Sequence, residues 1–245
     1  MSPKTNEAFR LQHNAQQRDY YEQAPDRPAM QVRDTPYVHR HVERMITIAG
    51  LQPRQPILEV GAGLGKFSLP MLARGLDVVC NDLSPVQLQR LQAAATQPVA
   101  TLACDIAEIA THTDQRFDRA VGFFTLHHMH DLTAVFAGLR AALKPGAELC
   151  FIEPRGRHPL YTVQVALTPK MTFRGEHGLF DMHDACVHAA MHRAGLQPLP
   201  STSYGFAPPF VINRPWGSRL EDALDRQRWL RWAHVFRVFR ARNPQ

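Results

Sequence analysis

Three acids at apolar strand ends, three alternating glycines and a pair of histidines carry most of the chemistry that this chain can offer. Glu59 stands before Gly61, Gly63 and Gly65 in the run Ile57-Leu58-Glu59-Val60-Gly61-Ala62-Gly63-Leu64-Gly65-Lys66, and a helical pattern from Phe67 to Arg74 follows at once. That is a strand, a tight turn and a helix. Lacking a Cβ, the glycines let the chain turn sharply and leave backbone amides bare near the positive end of the helix, where a nucleotide-like ligand can lie. Asp82 closes the next apolar run, 21 residues after Gly61. Spacing near 20 residues brings such a carboxylate to the tip of the neighbouring strand, within reach of a ribose diol. Asp105 closes the third run in the same way. His127 and His128, after a fourth strand, and Glu153, at the end of a fifth, are the groups near that edge able to take up a proton at neutral pH.

Each residue also has a plainer structural reading. Asp82 and Asp105 both stand where a helix cap would, before Ser84-Pro85 and before the short segment Ile106 to Ala110. The two histidines can serve simply to orient their loop. His127, His128, His130 and Asp131 are a poor metal set, because adjacent side chains point apart on a helix or a strand, and no metal is expected. The glycine spacing itself separates ligand classes. A dinucleotide fingerprint wants a sixth-position glycine where Lys66 stands, and a phosphate-binding P-loop wants Gly and Ser or Thr where Val60 and Phe67 stand.

An acid, one apolar residue and then Gly61, Gly63 and Gly65 resemble motif I of the class I S-adenosylmethionine-dependent methyltransferases. The run from Phe117 to Pro154, with Leu126-His127-His128 and Leu143-Lys144-Pro145-Gly146, looks like the ubiquinone-type small-molecule branch of that family. Together with Asp82 and Asp105, the resemblance covers about residues 36 to 155. It implies a doubly wound, mostly parallel seven-stranded α/β sheet (Rossmann-like), whose seventh strand runs antiparallel between the fifth and sixth.

The resemblance also implies S-adenosyl-L-methionine as cofactor. Contacts would come from Glu59, Gly61, Ala62, Gly63 and Gly65 at the turn, and from Asp82 with Leu83 beside the ribose. Asp105 would meet the adenine amine, Ile106 would pack on the ring, and Phe123, Phe124, His128 and Tyr21 would close the site. His127, His128 and Glu153 are the candidates for proton transfer. The reaction implied is methyl transfer to oxygen or nitrogen of a small molecule. Two alternatives share the fold: transfer or cyclisation of the cofactor's aminobutyrate arm, and a noncatalytic or RNA-binding protein. No Asn-Pro-Pro-Tyr or Asp-Pro-Pro-Tyr follows strand four, where Gly122-Phe123-Phe124-Thr125 stands, so a nucleic-acid acceptor is not expected.

The elements that must position these residues read in order. A polar helical arm covers residues 5 to 22 and ends in Tyr20-Tyr21; Ala24 to Pro28 breaks it, and a second helix runs from Tyr37 to Ala49. Tyr20, Tyr21 and Tyr37 are candidate pocket residues or packing residues. Further strands are expected at 76–82, 98–106, 117–124 and 147–153, with a helix over 132–143. Beyond Glu153, residues 155 to 180 read as an inserted lid with Tyr161, Lys170, Arg174, Glu176 and His177. A sixth strand is expected over 196–206, an amphipathic helix over 216–232 with its tryptophans packed on the sheet, and a last strand over 234–240. The chain is expected to be one domain: an arm at 1–50, a cofactor half at 51–155, and lid and C-terminal strands at 156–245.

Composition sets outer bounds. The 245 residues are 44% hydrophobic, enough for one sizeable core. No apolar run reaches the roughly 18 residues of a membrane span, and residues 1 to 7 lack a signal-peptide core, so a cytoplasmic location is expected. Cys80, Cys104, Cys150 and Cys186 form no Cys-x-x-Cys pair and read as reduced thiols. The net charge of +6 is concentrated in residues 214–242, which hold eight arginines against Glu221, Asp222 and Asp225. Nothing in the pattern speaks to oligomeric state.

Overall fold

The computed structural model describes residues 3–23, 31–156, 158 and 177–244. Five parallel strands come first: β1 (Pro56–Val60), β2 (Asp77–Asp82), β3 (Thr101–Ala103), β4 (Phe117–Phe123) and β5 (Leu143–Pro154). β6 (Gln197–Tyr204) and β7 (Phe236–Arg242) complete one seven-stranded sheet in the order β3-β2-β1-β4-β5-β7-β6. β7 is antiparallel to both β5 and β6, as the sequence led us to expect. Strand order reverses between β1, which pairs with β2, and its other neighbour β4. The crevice at the carboxyl ends of strands flanking such a reversal is where ligands of open α/β sheets bind.

Alternation along the strands builds a core on each face. Ile57, Val78, Cys80, Val121 and Ile152 face α2 (Pro36–Ala49) and α3 (Ser68–Leu72). Leu58, Val79, Ala120, Leu149 and Phe151 face α5 (Leu132–Ala142) and α6 (Asp184–Arg193). Local signals fix the helix ends. Thr35 caps α2 through the Val38 amide with Pro36 in the first turn, and Gly50 closes it in the left-handed region at φ 60°. Ser84 caps α4 (Pro85–Ala94) in the same way through Gln87.

Several expectations need correction. The lid expected at 155–180 falls largely outside the described residues, and so do Tyr161, Lys170, Arg174 and Glu176. The helix after the glycine turn is only the five residues of α3. The single C-terminal helix expected over 216–232 is two pieces, α8 (Gly217–Asp225) and a 3-10 turn (Arg228–Ala233), preceded by the short α7 (Pro209–Ile212). They part because Asp225 is pulled toward the body of the protein by Gly205, Arg40 and Arg44, after which Gln227 turns extended. The tryptophans do not pack on the sheet: Trp216, Trp229 and Trp232 are 55%, 71% and 72% exposed. All four cysteines are free, and burial pushes the Cys150 thiol up to about 12.

Candidate cofactor and active site

The turn after β1 is built from backbone that only glycine accepts easily. Gly61 and Gly63 lie at φ 71° and 54°. A Cβ on Gly61 would lie 2.2 Å from Thr125 Oγ1, so the turn packs directly against the loop that follows β4. Gly63 N donates to Asp82 Oδ2 at 2.8 Å, tying the turn to the end of β2. Ala62 is buried, and its amide donates to Asn81 O. Just before the turn, Glu59 is 2% exposed and its Oε2 has no hydrogen-bond partner. Burial, with the charge of Asp82 nearby, pushes Glu59 up to about 7.

Asp82 is not the cap of α4, which is Ser84, but is held by amides at the end of β2. Its Oδ1 accepts from Ser84 N at 2.9 Å and its Oδ2 from Gly63 N, and burial raises its pKa against these amides and that of Leu83. A carboxylate has about four acceptor sites and three amides approach this one, so about one lone pair remains for a ribose hydroxyl. Asp105 is engaged to the same extent, but chiefly by side chains of another element. Its Oδ1 caps the 3-10 turn Ile106–Thr111 through Ala107 N at 3.0 Å, while its Oδ2 accepts from Asn14 Nδ2 at 2.7 Å and from Arg10 Nη1. The helical arm α1 (Pro3–Glu22) thus lies across the strand ends, and Glu22 Oε1 accepts from Ser84 Oγ at 2.6 Å. Arg10, Asn14 and Glu22 carry no motif, and sequence reasoning passed over them. Ile106 is buried in the core under α5, which limits what it can offer an adenine ring.

The loop after β4 is organised from beneath. Glu153 is 0% exposed; its Oε1 accepts from Thr125 N and Leu126 N at 2.9 and 2.7 Å, and its Oε2 from His127 Nδ1 at 2.7 Å. Glu153 therefore lies under the loop and holds it, instead of facing the crevice as a proton acceptor. His127 is buried with it. Gly178 packs so closely that a Cβ there would lie 2.0 Å from His127 O. His128 turns the other way, toward the arm: its Nε2 meets Tyr21 Oη at 2.9 Å, and its carbonyl meets His13 Nε2 at 2.8 Å. Asp131 caps α5 through Ala134 N at 3.0 Å. Among the described residues no group of three or more His, Cys, Asp or Glu side chains is arranged to hold a metal ion.

Phe123 and Phe124 part company at the end of β4. The Phe123 ring is buried and stacked on Phe67 at 4.3 Å, so it belongs to the core and not to the crevice lining, contrary to expectation. Phe124 is half-buried at φ 55°, an unusual conformation for a bulky residue and one that clusters at functional sites. Its ring meets His41 edge-on at 5.0 Å. His41, missed by sequence reasoning because it sits on the apolar face of α2, is fully buried among Tyr37, Phe67, Tyr204 and Phe236. Its Nδ1 bonds Tyr204 Oη, its Nε2 has no partner, and burial holds it well below the usual histidine range. Tyr37 is part of this cluster, whereas Tyr20 stays on the surface.

Comparison with known proteins agrees with this fold. Residues 57–146 match the family model described as a methyltransferase domain. An uncharacterized protein of Mycobacterium tuberculosis is 32% identical over 107 residues, which is 43% of this chain and 39% of that protein. The ubiquinone biosynthesis O-methyltransferase of Coxiella burnetii is 29% identical over 128 residues, 51% of this chain and 53% of its own. The chain thus spans about two-fifths to half the length of these curated relatives. In solved structures, a SAM-dependent methyltransferase from Archaeoglobus fulgidus aligns with a TM-score of 0.59 at 10% identity, covering 84% of this chain and 94% of that one. The N-methyltransferase NodS from Bradyrhizobium japonicum aligns at 0.55 and 16% identity, covering 86% and 99%. At such identities the likeness is one of fold.

Strand order and domain match point to one class: residues 57–146 are similar to a methyltransferase domain, and the sheet has the fold of the S-adenosylmethionine-dependent methyltransferases it aligns with. S-adenosylmethionine is the cofactor of that class. The residues present fit it, with a tight turn whose left-handed Gly61 and Gly63 have no side chain over the backbone, about one lone pair left on Asp82, and an orphaned carboxylate oxygen on Glu59.

Proposed function

We propose that this protein transfers a methyl group from S-adenosylmethionine to an oxygen or nitrogen of a small molecule. Supporting it above all is the convergence at one sheet edge of the Gly63 amide, the Asp82 carboxylate and the loop braced by Glu153. Gly61, Ala62, Gly63 and Gly65 would shape the bed, Asp82 with Leu83 would take a ribose hydroxyl, and Glu59 would face the cofactor's cationic end. Asp105 has three donors on it and offers about one lone pair to an adenine amine. Phe124 and His128 would border the reacting end, and Tyr21 would cover it. When bound, the cofactor supplies a methyl group on a positively charged sulfur, open to in-line displacement.

The protein's own contribution is largely positioning, which supplies roughly 7 to 11 kcal/mol in well-oriented systems. Glu153 and His127 hold the loop, and α1 excludes water from above. His128 Nε2 is the atom that would receive a proton from a hydroxyl or ammonium acceptor displacing Tyr21. His127 and Glu153 act through that loop as positioning residues.

Calorimetry with S-adenosylmethionine tests the assignment. Asp82→Ala should weaken binding about ten- to a hundredfold, since a charge-assisted bond to a ribose hydroxyl is worth roughly 1.5 to 3 kcal/mol; unchanged affinity rejects the ribose contact. Mass spectrometry of turnover separates the chemistry. S-adenosylhomocysteine supports methyl donation, and methylthioadenosine would exclude it.

A further inference from the structure

All three tryptophans of the chain lie in one C-terminal segment, and all three are more than half exposed. Phe210 at 67% and Leu220 at 43% join them from α7 and α8. Large apolar side chains gathered like this on a polar surface mark an interaction face. In the 3-10 turn Arg228–Ala233, residues three apart eclipse one another. Trp229 and Trp232 therefore form one row and Arg228 and Arg231 the row beside it.

Charge is sorted across this segment. Its acids are all engaged: Glu221 is 0% exposed and accepts from Phe206 N, the Asp225 side chain lies buried against Arg40 and Arg44 of α2, and the exposed Asp222 pairs with Arg40. Its basic side chains turn outward: Arg214, Arg219, Arg226, Arg228 and Arg231 are exposed, and none forms an ion pair among the described residues. The segment thus presents its arginines to solvent together with its tryptophans, Phe210 and Leu220.

We propose that the face formed by residues 209–232 docks on an anionic lipid bilayer. Indole rings settle at the headgroup level, apolar side chains enter the acyl boundary, and arginines meet lipid phosphates. Single-stranded nucleic acid, the other polyanion, is bound by base stacking along a groove that tracks its backbone; an outward-facing mix that includes leucine suits a membrane better. No helix among the described residues is long and apolar enough to cross a membrane, so the contact would be peripheral. The face is also fastened to the catalytic edge, because Arg155, next after β5, donates to Trp232 O and His234 O at 2.9 and 3.0 Å.

The chain's whole tryptophan fluorescence comes from this face, which makes the test direct. The full chain is titrated with vesicles of mixed phosphatidylglycerol and phosphatidylcholine, with pure phosphatidylcholine vesicles, and with poly(U). The expected result is a blue shift of the emission and co-sedimentation with the anionic vesicles, both weakened by added salt. Arg228→Glu with Arg231→Glu should lower that partition about tenfold or more. Trp229→Ala with Trp232→Ala should lower it by a similar factor while the thermal melt stays unchanged. Four results would overturn the proposal: no change of emission with anionic vesicles, equal partition onto neutral ones, tighter binding to poly(U), or emission that shifts on dilution because a second copy covers the rings.

Discussion

The crevice and the C-terminal face treat polar groups in opposite ways. At the crevice, charged side chains are buried and answered by amides: Glu153 by Thr125 and Leu126, Asp82 by Gly63 and Ser84. At residues 209–232 the Glu221 and Asp225 side chains are buried and answered likewise, but the indoles and arginines are left to water. A buried charge demands a fixed geometry, because losing one partner leaves the other desolvated. An exposed ring demands nothing of the fold. The first region is therefore stiff and intolerant of change, whereas the exposed rings and arginines of the second are free to vary as far as stability is concerned.

Removing the brace should have the largest effect. Glu153→Ala leaves the Thr125 and Leu126 amides unanswered and removes the Nδ1 contact of His127, and should cost about 3 to 5 kcal/mol in chemical denaturation, as breaking buried charged contacts does. A loss under about 1 kcal/mol would show the loop to be held by something else. Next comes the turn. Gly61 and Gly75 have nearly the same φ, 71° and 75°, but a Cβ on Gly61 meets Thr125 Oγ1 at 2.2 Å and one on Gly75 meets nothing within 4 Å. Gly75→Ala should therefore cost about 1 kcal/mol from backbone strain alone, and Gly61→Ala should cost about 1 to 3 kcal/mol more from overpacking. Equal melting temperatures for the two variants would place the crevice outside the stiff region.

A smaller effect is expected with pH. Glu59 is raised from 4.5 to about 7 in the fold, so the unfolded chain gives up this proton first and deprotonation favours unfolding. Without cofactor, the stability lead of Glu59→Gln over the parent protein should grow from about pH 4.5 to about pH 7 and then level off. Its slope should be at most about 1.4 kcal/mol per pH unit. A lead that does not change with pH would mean that the carboxylate stays charged throughout. The smallest effect belongs to the other region: Trp229→Ala with Trp232→Ala should move stability by no more than about 0.5 kcal/mol. A larger loss would mean that the rings support the fold and would blur the contrast.

What was legible in the sequence follows the range of the interactions. The glycine turn, the acid closing β2 and the one just beyond β3, the Ser84 cap and the antiparallel last strand could be read because each is written in a short window or in a family pattern. Phe123 and Phe124 could not be told apart, since a strand-end pair alternates faces and only the packing shows which face is core. Trp229 and Trp232 were misjudged because a helical pattern was extended through Gln227, where the structure shows an extended residue.

The sequence by itself determined the strands of the sheet and which of their ends carry acid, since periodicity, caps and glycine positions act over one or two turns of chain. Only the tertiary structure decided what those acids do. Arg10 reaches Asp105 across 95 positions and Glu153 reaches His127 across 26, and such contacts depend on where the sheet sets the elements in space. Burial follows the same rule: whether a carboxylate faces ligand or loop, or an indole faces core or water, is a property of the assembled surface and not of any stretch of chain.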